Sequence, residues 1–168
     1  MKQTLKYIYE RLFEKLKYAE TKHNTTMTIA AAVIAFASTF FSDNKIINVL
    51  SSACIMFSLI SIIYSFIALL SRDVKLSNKE KFSSKNNLMN YKTIKDFSAP
   101  SYIKKIKQMY GLPHSYKADE MDLDLARQVI STAKLVGIKL SYFNFALVYL
   151  FLSIVCGIIV VCFKGNII

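Results

Sequence analysis

Few residues in this chain are of a type and spacing that could do chemistry. His23 and His114 stand far apart, Cys54, Cys156 and Cys162 all fall in apolar stretches, and there are only four glycines. No phosphate-cradling glycine loop, GxSxG, HExxH or CxxC can be built from that stock, so no catalytic site, cofactor or metal is expected. The cysteines read as small buried apolar side chains rather than as disulfide or zinc partners. His23, at the foot of the first apolar stretch, is expected to snorkel to an interface rather than switch with pH. The run from Asp119 to Asp124 holds four carboxylates, but consecutive helical positions point around the axis, so they suit a helix start better than a metal. What remains is an excess of cations. The polar segments hold 20 Lys and Arg against 10 Asp and Glu, interleaved with Tyr91, Tyr102, Tyr110 and Tyr116. A guanidinium offers a fork for phosphate and a tyrosine a flat face for a base, so a small anionic ligand is the sharpest chemistry on offer. Lysines near Arg72 are expected to meet anionic lipid headgroups as well.

The elements that must hold such a site follow from where charge is missing. The chain has 168 residues, 54% of them apolar, and a mean hydropathy of +0.34, yet its net charge is +11. A soluble domain of this size interrupts its apolar runs more often. Here 20 residues between Lys22 and Asp43, 26 between Lys45 and Arg72, and 24 between Lys139 and Lys164 contain no Asp, Glu, Lys or Arg. A helix needs about 20 residues to cross a hydrocarbon core of about 30 Å. The predicted fold is therefore an all-α membrane protein with three transmembrane helices and a helical cytoplasmic region. Residues 1–24 form a cytoplasmic amphipathic helix, 25–71 a transmembrane hairpin with spans at 26–41 and 46–70, 72–139 a cytoplasmic sensing and linker region, 140–164 the third span, and 165–168 an external tail.

Orientation follows from Lys and Arg. Six precede the first span and fourteen lie between Arg72 and Lys139, against Lys45 alone in the hairpin turn and Lys164 alone in the tail. The N-terminus is thus predicted inside and the C-terminus outside. Some 24 residues carrying Glu10, Glu14 and Glu20 precede the first apolar run, which excludes a signal peptide.

Within the cytoplasmic parts, Leu5, Ile8, Tyr9, Leu12, Phe13, Leu16 and Ala19 recur at helical steps. Because acidic and basic residues alternate on the other face, that stripe is expected to pack on other cytoplasmic helices rather than on lipid. Residues 73–87 read as a linker. A short helix capped by Ser98 or Ser101, with Pro100 in its first turn, presents Tyr102, Ile103, Ile106, Met109 and Tyr110, and stops at Gly111 and Pro113. A second helix opens on the acidic run and continues through Leu125, Val129, Ala133 and Val136 into the third span, with Gly137 its weak point. In the spans, Ser51, Cys54, Ser58, Ser61 and Ser65 share one face and Ala31, Ala35 and Thr39 another. Close helix packing is preferred over a pore lining, though in an oligomer one face could serve both. The absence of ionisable residues in the spans argues against an ion-coupled transporter.

The order of parts resembles a known family. An amphipathic start running into YAETKHNTTMTIAAAVIAF, a second span, then NLMNY and SYIKKIKQM, and finally DLARQVISTAKLVGIKLSYFNFAL entering a last span is similar to the transmembrane effectors of Pycsar, the bacterial pyrimidine cyclase antiphage system. The likeness covers roughly residues 8–163, and His23 stands where the family usually has a Lys-Asn pair. The resemblance implies a protein of the bacterial inner membrane, functionally paired with a nucleotide cyclase. Such an effector binds a cyclic pyrimidine mononucleotide, cyclic CMP or cyclic UMP, through its cytoplasmic part, then damages the membrane and causes abortive infection. It implies no particular binding residues. On physical grounds Arg127 is chosen for the phosphate, Gln128 and Asn87 for base edges, and Tyr91 or Tyr102 for stacking.

Three uncharged helices cannot enclose an aqueous path alone, so a homo-oligomer in the lipid bilayer is expected, with no nucleic-acid partner. Two other classes compete with the ligand-gated effector: a membrane scaffold subunit, and a holin-like toxin without a nucleotide ligand. A neighbouring cyclase gene would favour the effector, and toxicity on expression alone would favour the toxin.

Overall fold

The computed structural model describes residues 1–71, 88–111 and 117–165. These form five helices, α1 (Lys2–Ser38), α2 (Lys45–Leu70), α3 (Tyr91–Ile94), α4 (Ala99–Met109) and α5 (Glu120–Gly165), with no strand among the described residues. They divide into two units. Unit 1 is Met1–Ala19 with Ser71–Lys139, and unit 2 is Glu20–Leu70 with Leu140–Ile168, so α1 and α5 contribute residues to both. The expected linker 73–87, Arg72, Pro113, Tyr116 and the tail beyond Gly165 lie outside the described residues.

Unit 1 is built as a soluble helical domain is built. Leu5, Ile8 and Leu12 of α1 are buried in one cluster with Tyr102, Ile103 and Ile106 of α4 and Ala126, Val129, Ile130 and Ala133 of α5. Each large aliphatic side chain so buried contributes about 1.5–3 kcal/mol, which is what holds the N-terminal helix to its neighbours. The outer members of the expected stripes are not covered: Phe13, Met109 and Tyr110 stay exposed.

Local signals fix the helix starts. Asn90 caps α3, its side chain accepting from the Lys92 amide at 3.1 Å. Ser98 caps α4, accepting from the Ser101 amide at 3.4 Å, and Pro100 sits in the first turn where its missing N–H costs nothing. Gly111, at φ 64, follows α4 in the left-handed conformation that glycine adopts freely. At the start of α5, Asp119 Oδ1 accepts from the Asp122 amide at 2.8 Å while Asp122 Oδ2 accepts from the Asp119 amide at 3.4 Å. The acidic run is thus a reciprocal capping box that satisfies orphan donors of a 46-residue helix.

Gly137 does not interrupt that helix. A side chain there would meet the Tyr91 ring and the Lys95 stem at 3.8 Å, an ordinary contact, so α5 tolerates its glycine because α3 and the residue after it pack over that point.

The sequence predicts an amphipathic helix followed by a separate span, but α1 runs unbroken through the threonines between them. Thr25, Thr26 and Thr28 turn their hydroxyls back onto the carbonyls of Thr21, Lys22 and Asn24 at 2.9–3.0 Å, which keeps β-branched polar residues inside helical geometry. The helix stops at Ser38, three residues before the expected end of the span. Asn48, which reads as a polar flaw in the second span, instead clips the turn: its Oδ1 accepts from the Ser42 amide at 2.9 Å and its Nδ2 donates to the Ser42 carbonyl at 2.6 Å.

Unit 2 is built inside out. On α2 the buried residues are Ile47, near its start, and then Ser51, Cys54, Ser58, Ser61, Ser65 and Ala68, whereas Val49, Met56, Leu59, Ile63 and Phe66 face outward. A soluble helix hides its large apolar side chains; this one hides its hydroxyls. The seam is hydrogen-bonded. Ser153 Oγ donates to the Cys54 carbonyl at 2.7 Å, which leaves the Ser58 hydroxyl as donor to Ser153 Oγ, also at 2.7 Å, and Ser61 donates to the Ala146 carbonyl at 2.8 Å. Ser51 and Ser65 are equally buried without a hydrogen-bond partner among the described residues.

On α1 the buried face is Thr26, Ala30 and Ala37, and the expected packing residues Ala31 and Ala35 are exposed. The run of alanines at 30–32 offers two small-residue rows one position apart, and spacing cannot choose between them. His23 is corrected too. It is fully buried, with Phe143 edge-on at 5.7 Å, rather than snorkelling.

Two helices are long and apolar enough to cross a membrane, α2 and the stretch Glu120–Lys164 of α5, with mean hydropathies of 2.4 and 2.9 in their most apolar parts. Only 28% and 22% of those parts are buried, unlike the core helix of a soluble protein. The second half of α1, where the first span is expected, is not among them.

Candidate functional site

The residues chosen from the sequence do not converge. Arg127 and Gln128 are exposed neighbours on α5, with Arg127 Nη1 donating to Asp124 Oδ1 at 2.6 Å. Tyr91 opens α3, half-buried over Gly137, with Lys15 Nζ 6.0 Å from its ring centre. Gly137 and Arg127 are ten residues apart on one helix, about 15 Å along its axis, so Tyr91 and Arg127 belong to different places. Tyr102 is withdrawn altogether. It is 0% exposed, its hydroxyl donates to the Leu88 carbonyl at 2.8 Å, Phe97 lies 5.7 Å from its ring centre, and burial pushes its phenol pKa well up. No face of that ring is open to a base. Asn87 lies outside the described residues.

The structure assembles a different site in the same unit. Pro100, Ile103, Lys104 and Lys107 lie along one face of α4 and, with Ala118 just before α5 and Leu123 near its start, line a groove of about 240 Å³. The spacing is that of a single helical stripe, in which a proline and an isoleucine make the floor and two lysines one turn apart make the rim. That stripe is legible in APSYIKKIKQM, but Ile103 alone is taken from it in reading for a core, and the lysines on its flank pass as solvated charge.

The wall opposite α4 is held by the capping box and by an ion pair, Lys2 Nζ to Asp119 Oδ2 at 2.8 Å. The hydrogen bond from Lys2 holds the Asp119 carboxyl below its ordinary 3.8, and that same bond raises Lys2 above 10.5. Because Asp119 prefers its charged form when folded, its contribution is complete above 3.8 and is lost as pH falls through the lower folded value; the Lys2 contribution is complete below 10.5 and is lost as pH rises through the higher one. Thermal unfolding followed across the acid range is expected to show a slightly smaller stability loss in Asp119→Asn than in wild type, because an exposed ion pair contributes little. Equal acid sensitivity in the two would mean that another carboxylate governs this end.

Among the described residues, no three of His, Cys, Asp or Glu come together as metal ligands would. The second cavity, about 270 Å³ in unit 2, is lined only by apolar residues and Cys162, between Val33 and Phe36 on α1 and Ile154 to Cys162 on α5.

A family model described as the Pycsar effector protein domain matches residues 4–164, all five helices and nearly the whole chain. The chain belongs to that family. As a Pycsar effector it is an effector of antiphage defence, on the responding side of a system that pairs a cyclase with cyclic nucleotide signalling. The family and the two apolar helices together associate it with the inner membrane. No curated protein and no solved structure matches the chain.

Proposed function

We propose that this Pycsar effector binds a cyclic pyrimidine mononucleotide, cyclic CMP or cyclic UMP, through unit 1, catalyses nothing, and answers by breaching the inner membrane through unit 2, so that infection ends with the cell. The observation that carries the reading is the opposite construction of the two units within one family-defined chain. Unit 1 buries apolar side chains and displays cations; unit 2 buries hydroxyls and displays apolar side chains. One is suited to water and an anionic messenger, the other to lipid.

In this reading three helices cross the bilayer, the second half of α1 beside α2 and the apolar part of α5. The N-terminus is cytoplasmic and the C-terminus external, as the distribution of Lys and Arg requires. Charge-free spans cannot form an aqueous path singly, so the active form is a homo-oligomer. Binding acts by favouring one of two arrangements of the helices, and can shift them only by its difference in affinity for the two.

Membrane potential, followed with a dye in cells supplied with each cyclic nucleotide, tests this. Depolarisation is expected with one or both pyrimidine nucleotides and not with cyclic AMP. A potential that holds steady while phage growth is still blocked would overturn the membrane mechanism.

A further inference from the structure

We propose that the groove between α4 and the start of α5 is the messenger site, with Lys104 and Lys107 holding the cyclic phosphate and Pro100 and Leu123 forming the surface against which the base and sugar lie. The inference rests on the reading that unit 1 binds a cyclic mononucleotide, and it names where.

Lys104 and Lys107 stand one helical turn apart on the same face, and both line the groove. An anion seated between them meets two ammonium groups from one helix face. Among the described residues Lys104 is exposed and has no ion pair. Arg127, the cation chosen from the sequence, is by contrast already engaged by Asp124.

The floor decides the class of anion. Inorganic phosphate would use the lysines and leave the apolar surface wet, and a lipid headgroup would do the same. A cyclic mononucleotide carries one negative charge at one end and a flat ring at the other, and a groove of about 240 Å³ is on the scale of one such molecule. Ligand pockets of this kind combine an apolar lining with a few placed polar groups. The phosphate end fixes orientation, and the ring covers Pro100.

The position also gives the ligand something to move. One wall belongs to α4, and the other is the first turn of α5, the helix that goes on to supply the most apolar stretch of unit 2. A molecule bridging the walls therefore fixes α4 against the starting end of that helix.

Calorimetry on the full-length protein in detergent, titrated with cyclic CMP and cyclic UMP, tests the assignment. Wild type is expected to bind at least one. Lys104→Ala and Lys107→Ala should each weaken binding about tenfold, the loss of one charge-assisted hydrogen bond, and Lys104→Arg should largely restore it. Ala118→Phe, which keeps both lysines but fills the groove from the far wall, should weaken binding similarly. Helix content measured on every variant separates lost binding from lost folding. Arg127→Ala should bind as wild type does. Undiminished binding by the double Lys104→Ala, Lys107→Ala protein would overturn the groove and leave the nucleotide reading standing. Binding of cytidine or uridine as tight as that of the nucleotides would overturn the phosphate role of the lysines. Failure of wild type to bind either nucleotide would overturn the reading itself, and the site with it.

Discussion

Replacing Tyr102 by alanine is expected to lower the stability of unit 1 by about 3–5 kcal/mol, and replacing it by phenylalanine by about 1–2 kcal/mol. The difference between the two variants is the argument. Tyr102 is fully buried with its hydroxyl on the Leu88 carbonyl at 2.8 Å. Phenylalanine keeps the ring, and so keeps the packing against Phe97 and the α1 and α5 side chains, but strands a buried carbonyl without its donor. Alanine removes the ring as well and leaves a cavity in the cluster that joins α4 to Leu5, Ile8 and Leu12. Denaturant unfolding followed by helix content is the measurement. A residue that stacked on a ligand would behave in the opposite way, losing affinity in both variants with little change in stability. Unfolding midpoints unmoved in Tyr102→Phe and Tyr102→Ala, with binding lost, would return Tyr102 to the site.

Tyr102 also marks the boundary of what the sequence could say. Signals confined to one turn were legible: Ser98 or Ser101 with Pro100 announced α4, and the acidic run announced α5, though the reciprocal cap of Asp119 and Asp122 was not read from it. Two of the three charge-free stretches were legible in the same way, as helices long and apolar enough to cross a bilayer. A stripe, however, says which residues share a face and not what covers that face. Tyr91 and Tyr102 carry the same ring and lie in similar surroundings of sequence, yet one stands half-open over Gly137 and the other is sealed in the core. The alanine run at 30–32 fails for a related reason, since rows one position apart differ by a rotation that only the partner helix fixes. The four residues of α3 are too few to have a period. The groove was hidden because half its lining comes from Ala118 and Leu123, which no spacing rule links to Lys104 and Lys107.

The second large effect belongs to the serine seam of unit 2. Ser153→Leu is expected to destabilise the packing of α2 on α5 by about 3 kcal/mol, whereas Ser153→Ala costs about 1 kcal/mol. Ser153 is fully buried where Cys54, Ser58 and Gly157 let the two helices come close, and a side chain begun at Gly157 would already stand 3.7 Å from Cys54 Sγ. Leucine removes the bond to the Cys54 carbonyl and the acceptor of the Ser58 hydroxyl, and it also forces apart helices whose approach depends on small residues. Alanine removes the bonds and keeps the approach. In lipid no hydrophobic force draws the helices together again, because hydrocarbon is as good a neighbour to leucine as another helix is. If the closed seam is the silent state of the effector, cells expressing Ser153→Leu should lose growth without any cyclase, while Ser153→Ala cells remain dependent on the nucleotide. Growth curves without the cyclase, paired with detergent unfolding of the purified variants, read both quantities. A Ser153→Leu protein as stable and as harmless as wild type would show that this seam restrains nothing, and the search for the closed state would move to the faces that α2 turns outward.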